Sequence, residues 1–157
     1  MSAPAHRLPR LTRLRQVFAR EPLYFVTFCT HNRRPLLARS SIHEIFRRFA
    51  GNASDHGIFV GRYVLMPDYF HLFVQQARDR RSLSMWVKSL KNVLSKTLRE
   101  EGIGPPRWQK GFFDHVMRSA DSYSEKWDYV CQNPVRAGLV SQVADWKFQG
   151  VIHDVAF

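Results

Sequence analysis

Cysteine is nearly absent from this chain: Cys29 and Cys131 are the only two in 157 residues. So few thiols, so far apart, exclude a disulfide framework or a cysteine metal knuckle, and the expected setting is reducing. Long apolar runs are missing as well. No stretch approaches the ~20 residues of a membrane-spanning helix, and the N-terminus has no apolar signal-peptide core. No membrane partner and a cytoplasmic location are therefore expected. Acids are the third scarcity. Thirteen Asp and Glu stand against 24 Lys and Arg, a net charge of +11. An excess of that size is the footprint of a polyanion partner, most often nucleic acid, although a merely basic surface would read the same way. What the chain does have is a 45% hydrophobic share with 13% aromatics. That excludes disorder and, at this length, predicts one domain with its own core.

The most informative stretch is YVLMPDYFHLFVQ, Tyr63–Gln75, aromatic and β-branched but broken once at Met66-Pro67-Asp68. It reads as two antiparallel strands, Ile58–Met66 and Tyr69–Gln76, tightly joined. Alternation puts Phe70, Leu72 and Val74 on one face and Tyr69, His71, Phe73 and Gln75 on the other. The first set is a core face. The second sets a phenol beside an imidazole at the start of a strand, where sites tend to be built; a packed or surface histidine is the plainer account.

Residues 1–21 hold His6, Arg7, Arg10, Arg13, Arg15 and Arg20 and read as a basic arm ahead of a single domain over 22–157. Tyr24–Thr30 is a strand by composition. It ends in His31-Asn32-Arg33-Arg34-Pro35, a basic turn suited to a phosphate or simply solvated. Ser41-x-x-Glu44 has capping-box form, and the spacing of Ile42, Ile45, Phe46, Phe49 and Ala53 predicts an amphipathic helix over 41–55. After the hairpin, a turn at 78–81 leads to Ser82, the expected N-cap of a second helix with the stripe Leu83, Val87, Leu90, Leu94 and Leu98. Its outer face carries Lys88, Lys91, Asn92, Lys96 and Arg99 with no acid before Glu100, which leans towards a phosphate backbone. A loop with Trp108 and Lys110 precedes a short strand over 112–118.

The order β, α, β, β, α, β predicts an α+β fold: a ferredoxin-like antiparallel sheet with helices on one face. A third helix starts near Ser122, with Ser122-x-x-Glu125 as its capping box, and must end by Asn133 because Pro134 follows. Its buried stripe is Tyr123, Trp127, Val130 and Pro134. Tyr129 lies about 100° round from Val130, with Asn133 one turn above it and Glu125 and Lys126 on the same side. An aromatic off the buried face, beside an amide and a cation, either packs on the sheet or has a chemical role. The tail, 138–157, holds Trp146 and Phe148 to pin it down but no chemical motif.

Five segments in order carry a resemblance: Tyr24-Phe25-x-Thr27; the Tyr63–Val74 hairpin; Trp108-Gln109 with Asp114-His115 and Arg118; Asp128-Tyr129-Val130-x-x-Asn133-Pro134-Val135-x-x-Gly138-Leu139-Val140; and Asp145-Trp146-x-Phe148. Together they resemble the REP-associated tyrosine transposases, relatives of the single-tyrosine, HUH-type insertion-sequence transposases, over about residues 22–150. The resemblance implies a ferredoxin-like sheet, a C-terminal helix carrying the nucleophilic tyrosine, and single-stranded DNA hairpins as partners in a nucleoid-associated protein. It implies attack by that tyrosine on a phosphodiester, leaving a 5′-phosphotyrosine and a free 3′-OH. It also implies Mg²⁺ or Mn²⁺ held by a His-hydrophobic-His pair and by a polar residue four positions after the tyrosine. In this chain the tyrosine is Tyr129, and the metal residues are His71 and Asn133. A phenol is a weak nucleophile near neutral pH and needs local positive charge, which a metal ion would supply.

The chain departs from that pattern at one position: Pro67-Asp68-Tyr69-Phe70-His71 has Tyr69 where the first histidine belongs. A neutral phenol is a poor donor to Mg²⁺ or Mn²⁺, so a weakened or lost metal site is expected. Asp68 faces the wrong side unless the turn twists it, and His115 is a second possible substitute. Arg33, Arg34, Lys88, Lys91, Lys96, Arg99, Lys110, Arg118 and Arg136 are the expected DNA contacts, in a protein expected to act as a monomer. Three readings stay open: a strand-cleaving transposase with an altered metal site, a catalytically weak or inactive hairpin-binding protein, and an RNA-binding module on the same frame. The third lacks the Gly-and-aromatic run that stacks bases.

Overall fold

The computed structural model describes residues 21–77 and 82–155. The basic arm, apart from Glu21, and the turn at 78–81 lie outside the described residues. Strands β1 (Leu23–Cys29), β2 (Ile58–Leu65), β3 (Tyr69–Gln76) and β4 (Phe113–Met117) alternate with helices α1 (Ser40–Asn52) and α2 (Leu83–Glu100) in the βαββαβ order expected. The sheet runs β4-β1-β3-β2, antiparallel throughout, and a fifth strand, β5 (Gln149–Val151), adds to β2. Helix α3 (Ala120–Val130) and a single turn, α4 (Asn133–Arg136), follow β4.

The two faces of the sheet are used differently. Val26, Phe28, Phe70, Leu72 and Val74 are fully buried on one face, beneath α1 and α2. There the Phe46 ring meets Phe70 at 5.1 Å and Tyr63 at 4.7 Å, and Phe49 meets Trp86 of α2 at 5.9 Å. The predicted α2 stripe is buried along its whole length. On the opposite face, Phe25, Thr27 and Cys29 of β1 stand in register with Phe73, His71 and Tyr69 of β3. Helix α3 crosses this second face, setting Tyr123 and Trp127 edge-on to Phe73 at 4.7 and 6.3 Å. Burial of one face under α1 and α2 thus leaves the other for α3 and its tyrosine.

Two local expectations are corrected. Helix α1 has Arg39 at its N-cap and no side-chain cap, because the Ser41 hydroxyl donates to Glu101 instead and Glu44 pairs with Arg48 at 3.3 Å. The capping box of α3 is built by Ser119 and Ser122, not by Ser122 and Glu125: Ser122 N–H donates to Ser119 Oγ at 3.0 Å, and Ser119 N–H donates back to Ser122 Oγ at 3.2 Å. The tail is pinned by Trp146 and Phe148, as expected, and both are buried. Trp146 Nε1 donates to the Leu65 carbonyl at 2.9 Å, which brings β5 onto β2. Gly150 packs so closely there that a Cβ would stand 2.9 Å from the Tyr63 hydroxyl. Ser82 caps α2 as expected, accepting from Met85 N–H at 3.3 Å. Both cysteines are free, and no described helix is long and apolar enough to cross a membrane.

Candidate active site and nucleic-acid interface

The floor of the site is the start of β3. The rings of Tyr69 and His71 lie 4.6 Å apart on the α3 face, and Phe25 flanks His71 at 4.9 Å. Thr27, opposite His71 in the β1 register, shares a 2.7 Å hydrogen bond with His71 Nδ1. That bond fixes the ring and leaves Nε2 as the nitrogen presented to a ligand. Burial first, then the charges of Lys126 and Arg33, lower the His71 pKa to about 4, so the ring is neutral. Burial, then the Asp68 charge, raises the Tyr69 phenol, while Arg33 and Arg136 pull it down. Thr27 belongs to the first segment of the resemblance, but its role as the partner of His71 was not read from the sequence. Its signal is register, visible only once β1 and β3 are paired.

The turn after β1 supplies the first cation. Asn32 and Arg33 both adopt left-handed backbone, φ 49° and 55°, a conformation that costs a non-glycine residue about 1–2 kcal/mol. The bend lays the Arg33 guanidinium 5.0 Å from the centre of the Tyr69 ring. Arg33 Nε pairs with Asp68 at 2.7 Å, and Nη1 donates to Cys29 Sγ at 3.2 Å.

Helix α3 supplies the rest. Tyr129 is 64% exposed, as its phase on the helix predicts, while Val130 and Pro134 are buried. Ser122, Glu125, Lys126 and Tyr129 line a shallow depression of about 260 Å³. Lys126 Nζ sits 5.0 Å over the Phe25 ring, beside His71. The Arg136 guanidinium lies 4.0 Å over the Tyr129 ring, donates to the Tyr129 carbonyl at 2.7 Å and also donates to Asn133 Oδ1. Its charge also acts on the Tyr69 phenol of the β3 floor.

The residues present do not fit the divalent cation that the resemblance implies. Tyr69 is a neutral phenol, and Asn133 Oδ1 already accepts from Arg136. Asp68, the adjacent carboxylate, is ion-paired with Arg33. His115 does lie on the same sheet face, since Phe25 is opposite both Phe73 and His115 while Thr27 is opposite both His71 and Phe113. Two strand spacings and two residues then separate it from His71, roughly 12 Å between backbone positions. That is too far to share an ion. Among the described residues, no group of three or more His, Cys, Asp or Glu side chains could hold a metal.

The other expected DNA contacts fall in different places. Lys88, Lys96, Arg99, Lys110 and Arg118 are exposed. Lys88, Lys91 and Lys110, with Asn92, Trp108 and Phe112, line a groove of about 500 Å³ between α2 and the loop before β4, away from the Tyr69 face. Two cations have structural partners. Lys91 donates to the carbonyls of Gln109 and Gly111, and burial lowers its pKa. Arg34 donates to the carbonyls of Gly104 and Pro106 at 3.0 and 2.8 Å.

Comparison with known proteins agrees with this architecture. A Haemophilus influenzae protein and an Escherichia coli K12 protein, both with REP-associated tyrosine transposase in their names, are similar at 24% and 25% identity. The matches cover 92% and 93% of this chain and 88% and 86% of the relatives. A solved structure described as a REP-associated tyrosine transposase bound to a REP hairpin shares the fold, with a TM-score of 0.68 at 22% identity. That match covers 95% of this chain and 82% of the other. The profile described as Transposase IS200 like matches residues 21–132. The chain therefore belongs to the IS200-like transposase family.

Proposed function

We propose that this protein binds single-stranded DNA folded into hairpins and that Tyr129 cleaves and rejoins the strand. The observation that carries this reading is the exposed Tyr129 ring beneath Arg136, on the helix that crosses the Tyr69–His71 face. The hairpin named with the solved relative supports DNA as the partner. In the reaction the Tyr129 oxygen bonds to phosphorus and the bond from phosphorus to the 3′ oxygen breaks. The phenolic proton is released to solvent, and the leaving 3′ oxygen takes up a proton to become a hydroxyl. What remains is a 5′-phosphotyrosine. Arg136 is placed to meet the charge that builds on the attacked phosphate.

A second reading, hairpin binding without cleavage, draws on the engaged state of Asn133 and Asp68. Incubation with labelled hairpin DNA, followed by native and denaturing gels, separates the two. A shifted band that survives denaturation supports cleavage, and a shift lost on denaturation supports binding alone. No shift at low salt, or equal competition by RNA hairpins, overturns DNA as the ligand.

A further inference from the structure

We propose that the Tyr69–His71 floor is an anion site, in which Arg33, Lys126 and Arg136 seat a phosphodiester in the place where the family pattern puts a metal ion. The proposal rests on the reading that DNA is the ligand and names what holds its phosphate.

Three cations lie over three rings at this face. Arg33 lies over Tyr69, Lys126 lies over Phe25 beside His71, and Arg136 covers Tyr129 with its charge reaching Tyr69. Asp68 is the acidic side chain paired with this set, and its partner is Arg33. Even counting Glu125, which lines the depression with Lys126 and Tyr129, two carboxylates against three cations leave an excess of positive charge facing the floor. A divalent ion bound there would meet like charges and would have to displace a guanidinium from Asn133 or from Asp68. A phosphodiester presents the opposite case. Its two non-bridging oxygens match the forked donors of a guanidinium, and its charge is the one the site lacks.

The backbone supports the same assignment. Successive non-glycine residues in left-handed conformation, Asn32 and Arg33, persist where the surroundings impose them, and such conformations cluster at ligand clamps. Here the imposing contacts are those of Arg33 with Asp68 and Cys29. They aim a cation across Tyr69 that a solvated turn would leave free.

The test uses the intact protein and two simple probes, inorganic phosphate and Mn²⁺, read by side-chain NMR. In chelator, phosphate is expected to shift the Nε–H signals of Arg33 and Arg136 saturably. Arg33→Ala with Arg136→Ala should weaken that binding by at least about tenfold, and the paired Arg→Lys changes should restore part of it. Should the alanine pair fail to fold, Lys126→Gln, expected to weaken phosphate in the same direction, provides the same reading. Mn²⁺ added to wild type should produce no selective broadening at Thr27, His71 and Asn133. Selective Mn²⁺ broadening there, or phosphate binding indifferent to all these changes, overturns the proposal. Hairpin binding measured on the same samples separates the two claims: a retained shift with failed phosphate binding sinks only the anion site, whereas loss of the shift in wild type sinks the DNA reading itself.

Discussion

Arg136 sits 4.0 Å above the ring of Tyr129 and donates to that residue's own carbonyl at 2.7 Å. Pro134 shapes the chain around this contact. Lacking an N–H, it stops α3 from continuing, and the short turn α4 that follows carries Arg136 back over the last turn of α3. The carbonyl of Tyr129, which also accepts a long bond from Gln132 N–H at 3.3 Å, meets the guanidinium at this helix end. One residue thus closes the helix end, covers the proposed nucleophile and supplies charge.

Removing Arg136 should damage chemistry more than binding. Arg136→Ala is expected to slow adduct formation about 10²-fold or more while weakening hairpin affinity only a few-fold, because the guanidinium faces charge that builds in the reaction. Arg136→Lys should recover only part, since a point charge cannot cover the ring and fork to the phosphate. Adduct rate and affinity measured side by side check this. Equal losses in both would make Arg136 an ordinary binding contact.

His71 makes stability depend on pH. Its pKa is about 4 in the fold, lowered first by burial and then by Lys126 and Arg33, against 6.5 ordinarily. Below 6.5 the unfolded chain takes up a proton that the native ring refuses. The contribution is therefore complete above 6.5, declines as pH falls, and is gone below about 4, a loss of about 3 kcal/mol. Urea unfolding of wild type and His71→Asn between pH 7 and 4 should converge towards acid. Parallel curves would show that another group titrates.

Salt should weaken DNA binding steeply. If about four to six phosphates are neutralised, log K should fall with log[salt] at a slope of roughly −3 to −4. Replacing exposed Lys88, Lys96 and Lys110 by Ala should flatten that slope. Lys91→Ala should instead loosen the loop before β4, because its ammonium is already bonded to Gln109 and Gly111. Lowered thermal stability with a nearly unchanged salt slope is the expected result, and a flattened slope with unchanged stability would reverse the assignment.

The fifth strand gives a test of packing alone. Gly150→Ala puts a methyl group 2.9 Å from the Tyr63 hydroxyl, which is itself bonded to His43 and Arg47 at 2.7 Å each. The expected loss of stability is about 1–3 kcal/mol, with hairpin affinity little changed. A melting temperature equal to wild type would mean that Tyr63 moves aside without penalty.

Much of this was legible in the sequence, and the reason is periodicity. The hairpin from Ile58 to Gln76 alternates so regularly that its two faces, and the pairing of Tyr69 with His71 on one of them, follow from the pleat. The α2 stripe and the exposed phase of Tyr129 follow from 3.6 residues per turn. Features that depend on tertiary partners were hidden. Ser41 and Glu44 have the spacing of a cap, but Glu101, far along the chain, captures the serine. The short strand β5 exists because β2 offers an edge and Trp146 anchors it. In the site, Tyr129 and Asn133 stood out, whereas the contacts made by Arg33, Lys126 and Arg136 did not. Those arise from a strained turn and a crossing helix that no periodicity encodes.

The central claim is that Tyr129 attacks DNA, and mass spectrometry of the covalent product tests it most directly. After incubation with labelled hairpin DNA, nuclease and trypsin, the peptide from Trp127 to Arg136 should carry a phosphodeoxynucleotide on Tyr129. Tyr129→Phe should lose that product and keep hairpin affinity, because only the nucleophilic oxygen is removed. A nucleotide found on Tyr69 or Tyr123, or no adduct from DNA that is demonstrably bound, would contradict the account.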